Sequence, residues 1–139
     1  MTPQQSPEQL IRAELRLLRG QVKGVHGSMV ATSDGFMVAQ DIPGLEPTRI
    51  AAIIATTLGL ARQATEATGR GRFRETLTRG SDGYLAVFAI GDRAVVAVLG
   101  TDELNVGMLH YQIRDLNKRI ARHMEQAVRS RSFLAAEDL

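Results

Sequence analysis

Between Leu45 and Thr68 the chain runs LEPTRIAAIIATTLGLARQATEAT, which reads as one helix whose apolar and small residues occupy well over half of its circumference. At about 100° per residue, Ile50, Ile53, Ile54, Thr57, Leu58, Leu60, Ala61 and Ala64 fill a broad arc suited to packing on a sheet. Ala51, Ala55 and Gly59 form a second, small-residue stripe beside it, and only Arg49, Ala52, Thr56 and Gln63 remain for water. Small side chains at i, i+4 and i+8 let another helix approach closely, and a mid-helix glycine costs about 1 kcal/mol relative to alanine unless packing offsets it. A central core helix of a larger protein has the same pattern. With 139 residues, however, there is little other protein to bury it. The usual surface helix carries a single apolar stripe, so the second one predicts self-association.

The flanking segments supply that helix with a sheet. Ser6-Pro7-Glu8 marks a helix start with proline in first position, and Leu10, Ile11, Glu14, Leu15, Leu17 and Leu18 continue an amphipathic pattern to Gly20. Val25 to Ala31 and Phe36 to Ile42 are β-like runs joined through Asp34-Gly35, a pair suited to a tight hairpin turn. Pro43-Gly44 then breaks the chain before the long helix. Past Gly69-Arg70-Gly71 come three more strands, Arg72 to Arg79, Tyr84 to Ile90 and Ala94 to Leu99, with turns at Asp82-Gly83 and Gly91-Asp92. The last two are nearly continuous apolar runs, as in central strands covered on both faces. Arg72 to Thr78 alternates instead, with Arg72, Arg74, Thr76 and Thr78 on one side and Phe73, Glu75 and Leu77 on the other, which predicts an edge strand. Thr101-Asp102 is the expected cap of a last helix reaching about Val128. The order is α-β-β-α-β-β-β-α, an α+β domain over residues 7–128 with a five-stranded, mainly antiparallel sheet and helices on both faces. Residues 1–6 and 129–139 are expected to be flexible tails.

Most chemistry is missing. Lys23 and Lys118 are the lysines, and neither follows a glycine as a phosphate-binding Walker loop requires. Gly69-Arg70-Gly71 leaves a helix and enters a strand, the reverse of the dinucleotide-binding context. His26, His110 and His123 lack metal-ligand spacing, and the absence of cysteine removes thiolate nucleophiles and cysteine-based zinc sites. Ser28, in His26-Gly27-Ser28-Met29, lacks the Gly-x-Ser-x-Gly turn of a hydrolase nucleophile. Asp34, Asp82 and Asp92 adjoin turn glycines, where aspartate serves backbone hydrogen bonding. No enzyme, metal or cofactor is expected. A formal charge of +2 and 4% aromatic residues give little support for a DNA partner or for a stacking platform. Arg114, Lys118, Arg122 and Arg129, with Arg119 nearby, make a basic row on the last helix. It is the one basis for an alternative role as a ligand- or nucleic-acid-binding module, but Asp115 and Glu125 interrupt it as in an ordinary solvated face. The N-terminus lacks a secretory pattern and no apolar run reaches the ~20 residues needed to span a bilayer, so the cytoplasm is expected.

Particular residues then add a resemblance. Val25-His26-Gly27-Ser28-Met29-Val30-Ala31 followed by Ser33-Asp34-Gly35, the long helix after Leu45, Gly83-Tyr84-Leu85, and Leu104-Asn105-Val106-Gly107-Met108-Leu109 together make the chain similar to a roadblock/dynein light-chain family domain of the prokaryotic type, a fold related to longins and profilins. The resemblance implies a dimer in which the second helices pack together and the third strands pair edge to edge. On this chain those positions are Ala51, Ile54, Ala55, Leu58 and Gly59 on the helix and Arg72, Arg74, Thr76 and Thr78 on the strand. It also implies a non-enzymatic scaffold or regulator, possessing no cofactor, that binds a small Ras-like GTPase in a signalling module. The exposed helix rim, Arg49, Thr56, Arg62, Gln63 and Glu66, is the expected contact, with Arg62 as its anchor.

Overall fold

The computed structural model describes residues 5–137, and side-chain surroundings from residue 5 to residue 127. Its elements follow the expected order: α1 (Pro7–Gln21), β1 (Val25–Thr32), β2 (Met37–Asp41), α2 (Pro47–Ala67), β3 (Glu75–Gly80), β4 (Gly83–Ile90), β5 (Ala94–Thr101) and α3 (Val106–Glu137). Every neighbouring pair in the sheet is antiparallel, and the strand order is β2-β1-β5-β4-β3. The molecule is therefore an α+β sandwich with β2 and β3 at its edges.

α1 starts where Ser6-Pro7 predicts. The Ser6 hydroxyl accepts from the Gln9 amide at 3.2 Å, and the Gln9 side chain accepts from the Ser6 amide at 2.9 Å, a reciprocal cap that satisfies two otherwise orphaned donors. Ile11, Leu15 and Leu18 then bury one stripe of the helix. They meet Leu109, Ile113, Leu116 and Ile120 of α3 over one face of the sheet, with Val30, Phe88, Val96 and Val98 beneath. On the other face α2 sets Ala51, Ile54 and Leu58 onto Met29, Ala31, Val87, Val95 and Ala97. Successive side chains of a strand point to opposite faces. The unbroken apolar run of β5 therefore serves both cores, Val96 and Val98 in the first and Val95 and Ala97 in the second.

Three boundaries differ from the sequence expectation. β3 begins at Glu75, not Arg72, because Phe73 is drawn into the core under α2 and the segment before Glu75 crosses from helix to sheet. Arg72 and Arg74 are therefore not members of the edge strand. α3 is capped by Asn105 rather than by Thr101-Asp102: the Asn105 side chain accepts from the Met108 amide at 3.0 Å, while the Thr101 hydroxyl accepts from Glu103 within the preceding turn. The same helix continues to Glu137, past the expected end near Val128. Residues 1–4 and 138–139 of the expected tails lie outside the described residues.

Candidate partner-binding surface

A single helix lying on a sheet buries only a narrow stripe, and α2 is wider than that. Ala51 and Ile54 are 0% exposed and Leu58 is buried beside them. These three, expected at a dimer seam, are consumed by the subunit's own core and cannot reach a partner. Ile53 and Leu60, expected on the sheet, point away from it and are 45% and 64% exposed. The correction is one of helical phase: Ile53 precedes the buried Ile54 by one position, or about 100° of rotation, and Leu60 falls on the same outer side. With Arg49, Ala52, Thr56 and Thr57 they line a shallow groove of about 350 Å³. Ala55 is half-buried, and Gly59 is exposed about 120° around the helix from Ile53, with no atom within 4 Å of where a side chain would begin.

The sheet also presents a free edge. β3 pairs with β4 in unbroken register from Glu75 opposite Phe88 to Gly80 opposite Gly83, and has no second strand beside it among the described residues. Its Leu77 is exposed, Thr78 is exposed and Thr76 is half-buried. The other edge, β2, is blunted by an irregularity between Val30 and Ala31 of its partner strand and is tied to α1 by Arg19 Nε at 3.3 Å from Asp41 Oδ2. A regular edge with an exposed leucine is the more adhesive of the two.

The remaining expected contact residues divide. Arg49, Thr56, Gln63 and Glu66 are exposed. Arg62 is half-buried, and its Nη2 donates to the Asp92 carbonyl at 3.2 Å, bracing α2 against the β4–β5 turn. Arg62 also lines a cavity of about 790 Å³ between the end of α2, the 72–75 segment and the start of α3. Arg72 and Arg74, displaced from the strand, open into this cavity, as does Arg114. The basic row of α3 is thereby broken up. Arg114 belongs to the cavity, Arg119 Nε donates to Glu14 Oε2 of α1 at 2.7 Å, and Lys118 and Arg122 face solvent. The side chain of Arg129 is outside the described residues.

His110, which has no evident role in the sequence, joins α3 to the edge strand. Its Nδ1 meets the Val106 carbonyl at 2.9 Å, its Nε2 meets the Glu75 carboxylate, and its ring stands edge-on to Phe88 with centroids 5.7 Å apart. Both nitrogens thus face acceptors, which only the imidazolium satisfies, because the neutral ring has one donor. The Val106 carbonyl above all, then the Glu75 carboxylate, raise the pKa above 6.5 against the opposing effect of partial burial. A pKa raised in the folded state contributes stability that is fully present below the unfolded value and is lost as pH rises through the folded one. We expect the melting-temperature difference between the wild type and His110→Ala to be larger near about pH 5.5 than near about pH 8.5. A difference that does not change with pH would remove the ion pair from the account.

Ser28 is fully buried, and among the described residues no group of three or more His, Asp or Glu side chains could hold a metal ion. Among those same residues no helix is long and apolar enough to cross a membrane. Residues 12–100 match the Roadblock/LC7 domain.

This chain belongs to the Roadblock/LC7 domain family. An uncharacterised protein of Methanocaldococcus jannaschii, MJ1340, is 24% identical to it over 99 residues, covering 70% of this chain and 86% of its own length. Myxococcus xanthus MglB superposes with a TM-score of 0.79 at 14% identity, covering 91% of this chain and 96% of MglB. A structure described as MglB with tetrameric arrangement gives 0.81 at 17% identity over the same shares. At such identities the structural likeness speaks for the fold. Among the described residues of this Roadblock/LC7 chain, the regular edge of β3 and the outer face of α2 have no partner.

Proposed function

We propose that the protein is a non-enzymatic homodimeric scaffold or regulator that binds a small Ras-like GTPase. The observation that carries this reading is the pair of unpartnered apolar side chains on α2, Ile53 and Leu60, together with the regular free edge of β3. Two copies related by a two-fold axis cover both at once: α2 packs on α2 through Ile53, Thr57, Leu60 and Ala64, while β3 pairs with β3 through Thr76, Leu77 and Thr78. The family membership supports the same arrangement, and the tetrameric relative supports a tendency to assemble. The seam thus runs along the outer face of α2, not along Ala51, Ala55 and Gly59.

The rim of α2 next to that seam carries Arg49, Thr56 and Gln63, with Glu66 farther round, and dimerisation joins two such rims into one platform. Arg49 is the best anchor for an acidic group on the GTPase, because it is exposed and edges the groove, whereas Arg62 is already engaged with Asp92. An interface arginine that grips a carboxylate in a fork often contributes 2 kcal/mol or more. Pull-down against the small Ras-like GTPases of the same genome, each loaded with GDP or a GTP analogue, tests the reading. Nucleotide-dependent capture by the wild type, weakened about tenfold or more by Arg49→Glu in a protein that still dimerises, is expected. The chain alone is expected neither to bind nor to hydrolyse GTP. Failure to capture any of these GTPases in either state would overturn the proposal.

A further inference from the structure

The cavity beneath Arg62 has a composition that dimerisation does not explain. Its walls come from three elements: α2 with Arg62 and Glu66, the 72–75 segment with Arg72 and Arg74, and α3 with His110 and Arg114. Phe73, Phe88 and Ile113, each less than a tenth exposed, form an apolar floor. A concave space of this size, apolar at the base with a few charged groups at the rim, has the form of a small-molecule site, not of a flat protein-docking face.

The charges around it do not cancel. Four guanidiniums and the His110 ring face three carboxylates, Glu66, Glu75 and Asp92. Glu75 is already committed to His110. Arg62 gives one N–H to the Asp92 main-chain carbonyl and keeps others free. The side chains of Arg72, Arg74 and Arg114 have no ion-pair or hydrogen-bond partner among the described residues. Arginines gathered around one concavity repel one another, and their planar forks match the paired oxygens of a phosphate or carboxylate. We propose that this cavity binds a small organic oxyanion, an aromatic phosphate or carboxylate whose ring rests on the phenylalanine floor while its head group is held by Arg72, Arg74 and Arg114.

Titration of the full chain, followed by backbone amide NMR, tests this with phenyl phosphate and benzoate as probes and with inorganic phosphate and benzyl alcohol as comparators. Phenyl phosphate or benzoate should bind with a Kd of about 1 mM or below, shifting amides around Phe73, Phe88, His110 and Arg114, and the tighter of the two identifies the head group. Each comparator, lacking ring or charge, should bind at least about tenfold more weakly. The double variant Arg74→Gln/Arg114→Gln alters two exposed side chains and should retain the wild-type amide spectrum elsewhere while losing about tenfold or more in affinity. Arg16→Gln, on the exposed face of α1, should change nothing. Four results would each overturn the proposal: no shifts with either aromatic probe, equal binding of inorganic phosphate, shifts centred on Lys118 and Arg122 or on Ile53 and Leu60, or undiminished affinity in a folded double variant.

Discussion

Replacing Ile53 and Leu60 together by aspartate is expected to turn the proposed dimer into a folded monomer of 15.2 kDa. The proposed two-fold pairing of α2 would withdraw four of these side chains from water, two from each copy. A fully buried side chain of this kind contributes about 1.5–3 kcal/mol. Roughly half of each is already covered within the subunit, with 45% and 64% left exposed, which leaves about 1 kcal/mol apiece and about 4 kcal/mol for the seam. That alone corresponds to a loss of about 10³ in affinity, and four carboxylates brought together across the axis add repulsion. Light scattering at micromolar concentration should report the change while circular dichroism stays that of the wild type. A wild type already at the monomer mass, or a double variant still at twice it, would contradict the seam. Gly59→Leu separates this seam from the small-residue stripe. Gly59 lies about 120° around the helix from Ile53 with open space around it, so leucine there should leave the proposed dimer intact, whereas a seam through the stripe would be forced apart.

The architecture was legible because hydrophobic period, turn glycines and capping residues agreed along the chain. Ser6-Pro7, Gly35 and the two-faced run of β5 each behave as their local chemistry dictates. The site was less legible, for a reason visible in α2. A helix apolar around most of its circumference does not disclose its rotation, and a rotation of about 100° exchanges the roles of Ile53 and Ile54. Ala51 was a second ambiguity: a small residue suits a helix–helix contact as well as a close helix–sheet contact, and here it serves the sheet. At Arg72 to Arg74, alternation indicated a strand, but Phe73 had a tertiary destination that strand periodicity does not encode. The cavity joins residues more than fifty positions apart, Arg62 to Asn117. No local pattern announces such a meeting.

Gly24→Ala is expected to be among the most damaging single substitutions in the chain. Gly24 has φ +90, in the left-handed region that side-chain-bearing residues rarely adopt, and an added Cβ would lie 2.8 Å from the Glu103 carbonyl carbon and closer still to the Leu104 backbone. The neighbouring chain has little room to yield. The Thr101 amide donates to the Gly24 carbonyl at 2.8 Å, the Asn105 amide donates to the Lys23 carbonyl at 3.1 Å, and the Leu104 side chain is buried. Strained backbone costs about 1–3 kcal/mol and overpacking a similar amount, so a loss of about 3–4 kcal/mol follows. For a domain of this size that is a fall of roughly 10–15 °C in melting temperature. The consequence extends beyond stability, because the 101–105 turn sets where α3 begins, and through it the positions of His110 and Arg114 at the cavity. Weakening of the His110–Glu75 pair should therefore accompany the lower melting temperature. Gly20→Ala, in a helix with nothing within 4 Å of the new methyl, should instead stabilise by about 0.5–1 kcal/mol. Thermal melts of both variants decide the matter: a Gly24→Ala protein that melts with the wild type would show that the 101–105 turn can shift freely, and the claim that it fixes α3 would fall.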